Sequence, residues 1–93
     1  MTTDYSKLIF IGLEVMKYKK DGNESVAYWQ HVAFRLDTIY QIEEGTGGQS
    51  SLTVIFPKSS SLQVKTCRQT HQEVQDRIKA AVDHFASILR EGL

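Results

Sequence analysis

Residues 8–36 form two alternating runs folded about Asp21-Gly22-Asn23, and no other feature restricts the fold as much. In "LIFIGLEVMKYK" (8–19) and "SVAYWQHVAFR" (25–35) bulky residues recur with the two-residue period of a strand. The residues between them tolerate the positive φ of a tight hairpin. A loop at either Asp21-Gly22 or Gly22-Asn23 pairs odd positions of the first strand with even positions of the second. The two faces can therefore be assigned without the exact register.

One face collects Ile9, Ile11, Leu13 and Val15 with Tyr28, Val32, Phe34 and Leu36, and is expected to be core. The other collects Phe10, Gly12, Glu14, Met16 and Tyr18 with Ala27, Trp29, His31, Ala33 and Arg35. An ordinary solvent face would carry Lys, Glu, Thr or Ser where this one carries Phe, Met and Trp. Three outcomes follow. The face is an interaction surface, or the sheet curls so that part of it becomes interior, with Gly12 allowing a bend or bulge, or the face holds a small-ligand pocket.

Downstream, 39–44, 52–56 and 62–66 read as three shorter strands. The stretch 45–51, "GTGGQSS", is a flexible loop, and Pro57 with "KSSS" makes a turn. Leu62 and Val64 fall on one face of the last strand, Gln63 and Lys65 on the other. Thr70 followed by Glu73 fits a capping box. Val74, Ile78, Ala81, Val82, Phe85, Ile88 and Leu89 then mark an amphipathic helix over about 71–91 that stops near Gly92. The expected architecture is α+β: about five strands, mostly antiparallel and possibly curled, packed on one long C-terminal helix. The 93 residues make one domain, with a flexible start over about 1–6.

Composition bounds the chemistry. Eleven basic and eleven acidic residues cancel, which disfavours nucleic acid and anionic membranes as partners. The single Cys67 forms no internal disulfide, and no signal or spanning segment stands out. An intracellular, cytoplasmic protein is the expectation.

Cys67 and His71 could form a thiol dyad at a helix start, but no orienting residue or oxyanion motif accompanies them. His31, Cys67, His71 and His84 lack metal-ligand spacing, and "GTGG" lacks the ending of a phosphate loop. No cofactor, no metal and no enzymatic activity are expected. Residues 45–68 carry Lys58, Lys65 and Arg68 and no acid, a net +3, whereas 21–44 carry a net −4. Lys58, Lys65, Arg68 and His71 near the helix start thus make an alternative site for a phosphate ligand or nucleic acid.

The favoured expectation is a non-enzymatic interaction or self-assembly module. Phe10, Met16 and Trp29 would anchor it, with Tyr18 in the same patch and Glu14, His31 and Arg35 pairing at its edge. Its partner would be a protein, either another copy or a larger assembly.

The succession "FRLDTIYQIEE … LTVIF … LQVKT … HQEVQDRIKAAV" resembles the strand–strand–strand–helix layout of small bacterial flagellar-regulator proteins over about the last sixty residues. The long first hairpin is an addition to that layout, and no functional residue is carried over from it.

Overall fold

Asp21 pairs with Glu24, so the two-residue loop is Gly22-Asn23. Gly22 takes φ 67°, as the first central position of a type II′ turn requires. The computed structural model describes residues 5–56 and 58–92. The expected flexible start falls partly outside that range, but Tyr5–Lys7 form a short 3-10 turn, and the Tyr5 ring packs on Phe85 at 5.4 Å. Pro57 also lies outside the described residues.

The hairpin strands are β1 (Phe10–Asp21) and β2 (Glu24–Arg35). A 3-10 turn at Leu36–Thr38 leads into β3 (Ile39–Glu44), β4 (Ser50–Phe56) and β5 (Ser61–Cys67), and α1 (His71–Glu91) follows. The five strands form one antiparallel sheet in the order β2-β1-β5-β4-β3, with α1 packed against it. The fold is α+β.

This order puts β2 and β3 at opposite edges, yet only residues 36–38 join them. Four strand spacings in a flat sheet amount to about 19 Å. A 3-10 turn of three residues advances only about 6 Å. The sheet therefore rolls until these strand ends approach, toward the Ile11, Leu13 and Val15 face and not toward the Trp29 face that the expected curl would have enclosed.

Ile11, Leu13 and Val15 of β1, Phe34 of β2, Leu52 and Val54 of β4, Cys67 and Val74 fill the interior of the roll. Ile39, Ile42, Ile78 and Ala81 pack against them. Burial therefore follows the parity read from the hairpin. Tyr28 departs from it: the residue is on the core face but exposed, because the packed interior ends before the strand does.

β1 meets β5 at a single pair, Val15 and Cys67. Toward its start, other groups satisfy its free edge. The Arg68 N–H donates to the Glu14 carbonyl (2.9 Å), the Glu14 N–H to Gln69 Oε1 (3.0 Å), and Arg77 Nη1 to the Gly12 carbonyl (2.8 Å). The segment leading into α1, and α1 itself, thus fill the gap where β5 leaves the sheet. Ser50 Oγ, buried, donates to the Gln69 carbonyl (2.8 Å) and locks the corner.

Beyond Lys17 the hairpin stands clear, and residues 18–28 are exposed on both strands. The molecule measures 55 × 30 × 22 Å. Its radius of gyration is 15.4 Å, against about 12 Å for a compact chain of this length. Its accessible surface is 6871 Å2, against about 5,500 Å2 for a compact monomer.

Candidate hairpin interface

The outer face of β1–β2 is the face opposite Ile11, Leu13 and Val15. β1 contributes Phe10, Gly12, Glu14, Met16 and Tyr18, and β2 contributes Ala27, Trp29, His31, Ala33 and Arg35. The ladder runs unbroken from Phe10↔Arg35 to Asp21↔Glu24, which keeps this set on one side. Met16 lies directly opposite Trp29, both half-buried, and the Tyr18 hydroxyl reaches Met16 Sδ at 3.5 Å. Phe10 is 58% exposed and Tyr18 70%. The roll does not enclose this face, because it curls toward the opposite one.

Gly12 produces no bulge, since the ladder passes through it in register. It makes room instead: a Cβ there would lie 2.8 Å from Cε1 and Nε2 of the His31 ring. The ring rests over the glycine, although His31 remains exposed.

The expected pairing among Glu14, His31 and Arg35 does not form. Glu14 is opposite His31 in register, but its carboxylate takes Arg68 Nη1 (3.2 Å) and Gln69 Nε2 (3.4 Å). Arg35 Nε pairs with Asp37 Oδ1 at 2.6 Å. Both partners come from segments that the roll or the local turn brings in, and strand alternation does not reveal them. Gln69 was the residue least visible in the sequence, a lone amide between strand and helix whose role depends on where β1 ends up.

At the base of the hairpin the outer face opens into a groove of about 670 Å3. Phe10, Ala33, Phe34 and Phe56 line it, and Arg35 and Lys58 supply its positive charge.

The basic set is divided among different surroundings. Lys58 is in the turn before β5, at the groove. Lys65 points to the interior side of β5 with Leu52 opposite, close to Lys17. Its burial, and then the neighbouring Lys17 ammonium, hold it below the usual lysine value. Arg68 is committed to Glu14, and the His71 ring lies 3.5 Å from Gln75 Nε2. At the helix start Thr70 Oγ1 accepts from the Glu73 N–H (3.1 Å) and the Glu73 carboxylate from the Thr70 N–H (3.2 Å), the full capping box. Two of the N–H groups that an anion would use are therefore taken.

Cys67 is fully buried, and burial pushes its thiol up, with Ser50 opposing. A thiol held protonated in a core is a poor nucleophile. The Cys67/His71 pair considered from the sequence is not assembled, since the His71 ring lies toward Gln75 in the next helical turn. Among the described residues no cluster of His, Cys, Asp or Glu could hold a metal ion, and no helix is long and apolar enough to cross a membrane.

The chain matches no protein-family model, no curated protein and no solved structure. The class of protein that fold and surface define is therefore a small rolled-sheet α+β domain with an uncovered aromatic hairpin face.

Proposed function

We propose that this chain is a non-catalytic protein-interaction module that docks its partner on the outer face of the β1–β2 hairpin. The observation that carries this reading is the outer face of the hairpin, where Phe10 and Tyr18 are exposed and Met16 lies half-buried opposite Trp29, while the core forms behind it. Aromatic and methionine side chains are enriched where proteins meet, and a patch of this kind is uncommon on a free monomer. Phe10 extends the surface into the groove at the hairpin base. A buried, unpaired Cys67 suits a reducing compartment, and we place the protein inside the cell.

The phosphate or nucleic-acid alternative has less support, because Lys65, Arg68 and His71 each answer to a different neighbour and Lys58 lies apart from them at the groove.

The test is Trp29→Glu, with association followed by sedimentation over a wide concentration range. Trp29 is half-exposed, so the variant should fold with an unchanged circular dichroism spectrum. It should also lose association, at a cost of about 2 kcal/mol or more if Trp29 is an anchor. A variant that unfolds, or one that associates as the parent does, removes the reading.

A further inference from the structure

The two edges of the rolled sheet are built differently. β3 closes one edge and is protected in several ways: six residues long, with a register shift between Ile39 and Gln41, and ending in Glu43 and Glu44. β2 forms the other edge over twelve residues, and its ladder to β1 has no shift. From Ser25 to Phe34 it contains no Lys, Arg, Asp, Glu or Pro. Long, regular, uncharged edges are templates for pairing, which natural sheets usually blunt with charge, proline or a bulge.

Ladder parity identifies the free backbone groups. The Ile9 carbonyl accepts from the Leu36 N–H (2.8 Å), so odd residues of β1 and even residues of β2 turn their backbones toward each other. Gly12 and Glu14, which are even, turn theirs to α1 and the segment before it. By the same alternation Ser25, Ala27, Trp29 and His31 direct N–H and C=O away from β1, to the open edge.

We propose that a second copy of this chain pairs its β2 antiparallel with this β2, about a two-fold axis normal to the sheet, and so joins two hairpins into a four-stranded ribbon. Such an axis keeps outer face with outer face, so odd residues meet odd residues. Centred on Tyr28, the pairing sets Trp29 of one copy opposite Ala27 of the other, an indole beside a methyl. No like charges oppose one another, because the paired stretch carries none. The chain as a whole is neutral and adds no net repulsion. A free two-stranded ribbon is marginal in water, and a four-stranded one removes that weakness for residues 18–28. The surface in excess of a compact monomer, about 1,400 Å2, is more than the about 800 Å2 that one partner of a standard stable interface buries. The inference rests on the hairpin being an interaction module and names its partner, and it sets the contact on the β2 edge beside the outer face.

Amide hydrogen exchange, read residue by residue at low and high protein concentration, tests it. The Ala27, Trp29 and His31 amides should slow by about tenfold or more as dimer forms, while those of Tyr28 and Gln30 are protected throughout. Ala27→Pro removes only an outward N–H, which an edge strand tolerates, and should be folded and monomeric. Should proline disturb the strand, Ala27→Lys guards the same edge without restraining the backbone. A dimer in which the odd amides stay fast overturns edge pairing, and if its tryptophan emission still shifts to the blue the outer-face reading survives alone. A dimer with slow odd amides that Trp29→Glu leaves intact keeps the edge and removes the outer face. A monomer at every concentration, or odd amides already slow in the monomer, overturns the second copy as partner.

Discussion

Lys65 is on the unexpected side of its strand. Alternation in β5 separates Leu62 and Val64 from Gln63 and Lys65, and the apolar pair would ordinarily face inward. Instead Val64 is 70% exposed, and Lys65 shares the interior side with Leu52 and Val54. The reason is the pairing of β5: Cys67 must point inward to bridge Val15, and parity then carries Lys65 in with it. Burial and Lys17 both disfavour its charge. The unfolded chain therefore binds more protons than the folded one between the lowered folded value and 10.5, and stability should rise with pH across that window. Lys65→Gln should accordingly have a higher urea midpoint than the parent at pH 7, by a margin that narrows as pH approaches the unfolded value. A lower midpoint at neutral pH would mean that the packing of the lysine stem outweighs its charge. Glu14, His31 and Arg35 teach a similar lesson. Their shared face was legible, whereas their partners Arg68, Gly12 and Asp37 depended on tertiary placement or a local turn.

Among the elements, α1 was the most legible, since its signals are local. The cap at Thr70, the acid at Glu73 and the stripe from Val74 to Leu89 act within a few residues of one another, and the helix runs His71–Glu91 as its pattern implies. Thr70→Ala removes the acceptor of the Glu73 N–H and should cost about 1 kcal/mol, measured as a lowered urea midpoint with unchanged slope. No loss would mean that water replaces the cap. The packing of the helix was less legible. Val74 is buried, and Ile78 and Ala81 pack on the core, but Val82 and Ile88 remain exposed, so only part of the apolar stripe is covered. The hairpin gave the reverse case. Its faces followed from parity, but no local signal showed that half of it would stand clear of the roll or that β2 would be an unguarded edge.

At the scale of the molecule, Cys67 reports on the fold as a whole. It joins β5 to β1 and is fully buried among residues from four strands and the helix. Alkylation should therefore wait for global opening, with a rate that follows the unfolded population through a urea titration. Labelling in native buffer as fast as in denaturant would mean that the corner of the roll opens locally. The sequence by itself determined the elements, the two faces of the hairpin and the helix cap, since each depends on residues two to four positions apart. Tertiary structure alone decided the roll. Strand order is a matter of which distant edges meet, and here a three-residue turn between β2 and β3 draws opposite edges together. That closure encloses Ile11, Leu13 and Val15, leaves Phe10, Tyr18 and Trp29 outside, and exposes the long backbone edge of β2.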